Sequence, residues 1–271
     1  VLFRSAQSIF KQHSVTYYYA SRFLPEQERK DIEVVYAFLR LPDEYVDNNP
    51  KDEESYKAYK NCWYGNGEHD IVTQYKEVHT RRGFEDEWVD AFFQSMDMDL
   101  EKSTYETEDE FWEYMYGSAE IVGLMFCRIL DIEEQWENDA RLLGRFMQYV
   151  NMLRDVKEDL ENNFSYIPIE TCQKYEIQNF EEAVKTKSPA LQNLLVGESK
   201  RCLTWYNTVQ EAIQKIPLPS RIAIQTAADI YAWTAQTLIE KPEEAIDTKI
   251  IPSKTRVLLK GSYNTAKCYI N

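Results

Sequence analysis

Apolar residues recur at three- and four-residue intervals along nearly the whole chain, which is the rhythm of an α-helix and not of a strand. The segments 15–23, 26–47, 51–61, 68–80, 85–102, 105–129, 133–162, 179–186, 189–214 and 220–240 carry it and are predicted as helices. Breakers separate them at Pro25, Asn49–Pro50, Gly65–Asn66–Gly67, Gly83, Pro168, Pro217/Pro219 and Pro242. Only 8 glycines occur, too few for the many tight turns of a strand architecture. No linker or low-complexity tract divides the chain, so an all-α, single-domain helical bundle spanning 1–271 is expected.

The net charge of -15, from 31 Lys+Arg against 46 Asp+Glu, makes the average surface repel phosphate backbones and anionic headgroups. Nucleic acid is therefore not an expected partner. The same carboxylate excess suits recruitment of divalent cations. Five cysteines, odd in number and without a Cys-x-x-Cys, suggest neither a disulfide framework nor a zinc site, and a reducing, cytoplasmic setting is expected. No apolar run reaches membrane-spanning length and no signal-peptide pattern opens the chain. The missing initiator Met leaves native residues, with any targeting signal, expected upstream.

The three histidines, at 13, 69 and 79, never fall at metal-ligand spacing, and neither a GxSxG turn nor a GxxxxGK loop is present. What remains is acidic, and hard oxygen donors are what magnesium prefers. At 100° per residue, Glu33, Tyr36, Arg40, Asp43 and Asp47 fall on one stripe, with Val34, Phe38 and Tyr45 opposite. Asp43 and Asp47 stand one turn apart, about 6 Å along the axis, where they repel unless something positive lies between them. The segment 145–160 repeats the arrangement with Gln148, Asn151, Asp155 and Asp159, backed by Phe146, Tyr149, Val150, Leu153 and Leu160, and it carries Arg154. Two such stripes facing each other in a bundle would supply four carboxylates, two arginines and an amide, enough to hold magnesium and through it a diphosphate. Spacing alone equally describes a solvated helix face, and Asp86 and Asp90 in "FEDEWVDAFF" repeat it.

Context separates the pairs. "YAFLRLPDEYVD" (36–47) and "QYVNMLRDVKEDLENNFSYIP" (148–168) resemble the two aspartate-rich signatures of the squalene/phytoene synthase family, and the 86/90 pair lacks both contexts. "HSVTYYYASRFLP" (13–25) resembles the family's N-terminal segment, and "YMYGSAEIVGLMFCRIL" (114–130) its central helix. "AADIYAW" (227–233) followed by "TKIIPSK" (248–254) is similar to its last helix and basic tail, so the resemblance spans about positions 8–260.

The resemblance implies a helical bundle of the isoprenoid synthase type with a central cleft. It implies head-to-head joining of two prenyl diphosphates, geranylgeranyl or farnesyl, through a cyclopropyl intermediate to phytoene, squalene or dehydrosqualene. Carried over by position, Asp43, Asp47, Asp155 and Asp159 would bind magnesium, or manganese in its place, with Asn151 beside the second pair. Arg40, Arg154, His13, Ser14, Thr16 and Tyr231 would hold the diphosphate, and Tyr114, Ala119, Val122, Gly123 and Gln148 match positions lining the prenyl pocket. NADPH is implied only for a squalene product. Peripheral membrane contact is a further expectation, since the product is a long hydrocarbon. Another class I prenyl or terpene reaction, or a non-catalytic assembly relative, is the alternative.

Three positions depart from the family pattern. Val15 stands where Lys is common, Asn163–Phe164 replace a Gly-Arg step, and Glu120 replaces a small residue in the central helix. Pro42 is also unusual, because proline inside a helix removes a hydrogen bond and predicts a kink or a fresh start beside Asp43.

Overall fold

Short polar side chains set where the helices begin. Ser5 and Ser14 accept the amides of Ser8 and Tyr17 and open α1 (Ala6–His13) and α2 (Val15–Ala20). Asp52, Thr107, Asn179 and Ser188 cap later helices in the same way, and Gly83 ends one in the left-handed region. In the computed structural model, which describes residues 5–48, 50–218 and 220–270, every regular element is helical. Asn49 and Pro219, two of the predicted breakers, lie outside the described residues.

After α2 come α3 (Glu26–Asp47), α4 (Glu53–Trp63), α5 (Asp70–Arg82), α6 (Asp86–Glu101) and α7 (Glu108–Met115). A widened π turn, Tyr116–Glu120, joins α7 to α8 (Ile121–Ile129). Then follow α9 (Glu137–Arg154), α10 (Val156–Glu161), α11 (Ile169–Lys174), α12 (Phe180–Thr186), α13 (Pro189–Thr208) and α14 (Gln210–Lys215). The chain closes with α15 (Ser220–Glu240), α16 (Pro242–Asp247) and α17 (Lys254–Ile270). The principal packings are α8 on α9, α9 on α13, α13 on α15 and α15 on α17, with α1 against α3.

The structure redraws several predicted boundaries. The expected helix 105–129 starts at Glu108 and holds the π turn, 133–162 breaks at Asp155, and 189–214 breaks at Val209. Helices α1, α11, α16 and α17 fall outside the predicted segments: three span eight residues or fewer, too short for periodicity to declare itself, and α17 is rich in Lys and polar residues.

Pro42 does not restart α3, since the helix runs unbroken from Glu26 to Asp47. Glu120, 1% exposed, points away from the apolar interior and accepts Arg141 at 2.9 Å and Arg145 at 2.7 Å. Glycine allows close approach nearby: a Cβ on Gly123 would stand 2.1 Å from the Ala140 carbonyl, and one on Gly144 2.4 Å from that of Ala119. The backbones of α8 and α9 thus touch beneath the site.

Candidate active site

A cleft of about 960 Å³ runs into the bundle, and Asp43, Asp47, Asp155 and Asp159 all line its mouth. The first two come from α3; Asp155 occupies the bend between α9 and α10, and Asp159 the following turn. The predicted stripe over 145–160 is therefore bent: Asp155 has φ -100° and ψ 9°, although the bonds from Asp155 to Asn151 and from Asp159 to Asp155, both 2.9 Å, carry the helix across. Deeper in, Tyr114, Ala119, Val122, Gly123, Met147 and Gln148 form part of the lining. All of the predicted substrate residues (His13, Ser14, Thr16, Tyr231, Arg40, Arg154 and Asn151 besides) border the same cleft.

Each aspartate pair is held by cations. Arg40 Nη1 bonds Asp43 Oδ2 and lies 4.0 Å from Asp47, with Nε 3.6 Å from Glu44. Arg154 grips Asp155 at 2.7 and 2.5 Å, and Lys249 bonds Glu158 while standing 3.4 Å from Asp155. His13 Nε2 is 2.9 Å from Glu44, beside the first pair. Ser14 spends its oxygen on capping α2, which leaves its hydroxyl hydrogen to donate. Tyr231 stacks on Tyr17 with centroids 5.6 Å apart, and Asn151 donates to Gln148 at 3.3 Å.

The cleft holds protons that water would release. Burial, then Asp43, pushes Asp47 up to about 8, and Glu158 on the other helix adds to it. Burial, then Asp155 and Asp47, pushes Asp159 up to about 8 as well. The fields of the two pairs therefore overlap in the cleft. Asp47 is 49% exposed, and open water on that side moderates its shift. Asp43 is also raised, by burial first and against the pull of Arg40.

Among the described residues no three His, Cys, Asp or Glu side chains converge on one point fit for an ion. The donors form two separated pairs, each drawn to its own basic neighbour. All are hard oxygens whose like charges disfavour ionisation, which is the donor chemistry that divalent cations such as magnesium would fit. Asp86 and Asp90 border no part of the cleft: Asp86 is 79% exposed beside His79, and Asp90 accepts the Tyr64 hydroxyl at 2.7 Å.

The sequence profile described as squalene/phytoene synthase matches residues 10–260. This chain belongs to the squalene/phytoene synthase family. It is 30% identical over 182 residues to a phytoene synthase of Thermus thermophilus, covering 63% of this chain and 60% of that protein. It is 22% identical over 245 residues to a 15-cis-phytoene synthase of Synechocystis, covering 83% and 73%. The chain spans only about three fifths of the Thermus protein, and 58% of the chloroplastic phytoene synthase of an Oncidium hybrid. In structure it is similar to a dehydrosqualene synthase, with a TM-score of 0.80 at 21% identity over 98% of this chain and 96% of that one. It is also similar to the squalene synthase HpnC of Alicyclobacillus acidocaldarius, with a TM-score of 0.74 at 15% identity over 87% and 92%. The fold is thus the all-α isoprenoid synthase bundle.

Within this squalene/phytoene synthase family member, three cleft residues escape a reading of the sequence. Asp99 of α6 is 2% exposed, accepts the Tyr114 hydroxyl at 3.1 Å and leaves Oδ1 unbonded; burial, then Asp43 and Asp47, raise its proton affinity far. Its signal is present, since an acid at 99 shares the buried stripe of Phe92 and Met96. Lys51 bonds the Asp99 carbonyl and sits 6.0 Å over the Phe164 ring, so a cation does reach the position where Asn163–Phe164 depart from the family pattern. Lys249 belongs to the quoted basic tail, but no local pattern signals that it meets Asp155.

Proposed function

We propose that residues 1–271 act as one domain that joins two prenyl diphosphates, farnesyl or geranylgeranyl, head to head to give phytoene, squalene or dehydrosqualene. What supports this above all is the pairing of Asp43/Asp47 with Asp155/Asp159 at the mouth of one cleft whose depth is apolar. Membership of the squalene/phytoene synthase family, and relatives named phytoene synthase, support the same reaction class.

Asp43, Asp47, Asp155 and Asp159, with Asn151 beside them, would hold magnesium, or manganese in its place. When bound, the metal supplies positive charge to diphosphate oxygens and makes diphosphate a better leaving group. Arg40 and Arg154 present guanidinium donors to the same oxygens, exchanging their aspartate partners for substrate. Ser14 and Thr16 add hydroxyl donors at the mouth, and His13 sets Glu44 beside Arg40. The carbon–oxygen bond of one substrate breaks with its electron pair leaving on diphosphate. The double bond of the second chain then supplies the pair for the new carbon–carbon bond, and loss of a proton closes the cyclopropane.

The allylic cation survives only where water is excluded. Tyr17, Tyr36 and Tyr231 border the cleft, where an aromatic ring can stabilise positive carbon, and Ala119, Val122 and Gly123 leave room for the chain. NADPH is required only for a squalene product. The hydrocarbon leaves by peripheral contact with a membrane, and no helix among the described residues is long and apolar enough to cross one. Incubation with each diphosphate plus magnesium, followed by extraction of hydrocarbons, tests the proposal. Release of diphosphate from neither substrate would overturn it.

A further inference from the structure

Pro42 sits in the interior of α3, one residue before Asp43. Proline has no amide hydrogen, so the carbonyl of Phe38, four residues back, loses its helical partner. Phe38 is 0% exposed, and an orphan carbonyl there would find no water. The hydroxyl of Tyr59, on α4, fills the gap by donating to the Phe38 oxygen at 3.1 Å. Tyr59 is itself 2% exposed, and burial raises its proton affinity so far that it remains a donor at every working pH. Its ring packs 5.7 Å from Phe38 and 6.3 Å from Tyr45, the residue midway between Asp43 and Asp47. The hydroxyl therefore closes α3 at the step where the helix presents Arg40, Asp43 and Asp47.

We propose that Tyr59 is a positioning residue for the first aspartate pair: its hydroxyl replaces the backbone bond that Pro42 removes and so holds the angle at which Asp43 and Asp47 enter the cleft. This rests on the reading that those aspartates bind metal and diphosphate. Tyr59 itself borders no part of the cleft and acts only through α3.

The test is a double-mutant cycle of Tyr59→Phe and Pro42→Ala, because the second substitution restores the amide that the Phe38 carbonyl lacks. Two quantities are read for each protein: the melting temperature in EDTA, and the magnesium concentration at half-effect for binding of farnesyl thiodiphosphate by calorimetry. Tyr59→Phe alone is expected to lower the melting temperature and to raise the magnesium midpoint roughly tenfold, the size of one buried hydrogen bond. In the Pro42→Ala background, the same substitution is expected to shift the midpoint by less than about twofold. An equal shift in both backgrounds overturns the proposal. So does a lower melting temperature with an unchanged magnesium midpoint, which assigns the hydroxyl to stability alone. If the unaltered protein binds the thiodiphosphate without any need of magnesium, it is the reading of the site that falls, independently of the melting-temperature cycle.

Discussion

Arg154 holds the carboxylate of its immediate neighbour, Asp155, through two bonds of 2.7 and 2.5 Å. Adjacent residues on a straight helix point about 100° apart and do not meet. They meet here because the backbone leaves helical geometry at Asp155, where α9 ends and α10 begins. The bend turns the guanidinium and the carboxylate to one side of the cleft, and it keeps a part-buried acid paired while no substrate is present.

Loss of one carboxylate from either pair is expected to remove turnover while sparing the fold. Asp47→Asn and Asp155→Asn should each reduce diphosphate release by about a hundredfold or more, because charge stabilisation of a leaving group is lost. Asp86→Asn, at a residue 79% exposed and outside the cleft, should leave release unchanged. Equal damage at 86 would contradict the assignment.

The carboxyls of Asp47 and Asp159, pushed up to about 8 from an ordinary 3.8, give a stability signature. Between those two values the folded chain keeps protons that the unfolded chain has released, so stability falls as pH rises through that window and levels off above it. In EDTA the melting temperature should therefore fall between about pH 5 and about pH 8, with open water at Asp47 reducing its share. Magnesium should flatten the fall by favouring the ionised pairs, and a melting temperature that rises across this range in EDTA would refute the account.

Glu120 lies 1% exposed between Arg141 and Arg145, which are themselves partly open to solvent. Glu120→Gln should cost about 2 kcal/mol in urea unfolding, below the usual figure for breaking a fully buried pair because water reaches both arginines. The product distribution should not change, since Glu120 does not border the cleft.

Bulk in the floor of the cleft should discriminate between substrates by length. Val122→Phe is expected to reduce turnover of geranylgeranyl diphosphate about threefold more than that of farnesyl diphosphate, a difference of about 0.7 kcal/mol. Competition between the two diphosphates measures the ratio directly. Gly144→Ala acts differently: its Cβ would stand 2.4 Å from the Ala119 carbonyl, and the melting temperature should drop whichever substrate is present.

Helical periodicity makes the bundle legible, together with the two stripes that carry the aspartates, because a 3.6-residue repeat states which side chains share a face. The pairs at 43/47 and 155/159 are distinguishable from the pair at 86/90 only by their surroundings, since spacing alone is blind to what lies opposite. The bend at Asp155 is not legible, as nothing local in "MLRDVKED" breaks a helix, and the ion pair that the bend permits joins residues a straight helix would keep apart. Asp99 is hidden because it lies in the helix that also bears the exposed 86/90 pair, although it sits on the opposite, buried face. Pro42 advertises a missing bond in plain sight, but the hydroxyl that replaces it comes from a different helix, 21 residues beyond the Phe38 carbonyl it serves.

The π turn at Tyr116–Glu120 gives the chain a property that its length conceals. Tyr114, Ser118, Val122, Phe126 and Leu130 all reach the cleft at intervals of four, although such a series runs ahead by about 40° around an ordinary helix with every step. A turn that takes in one residue more than usual absorbs the drift. Deleting Ser118 would let the turn close with regular winding, and because the wide turn already takes up that extra residue, Val122 and Phe126 would keep facing the hollow. Shortening the chain by one residue here would therefore leave the substrate the same face of α8, with one hydroxyl fewer beside it.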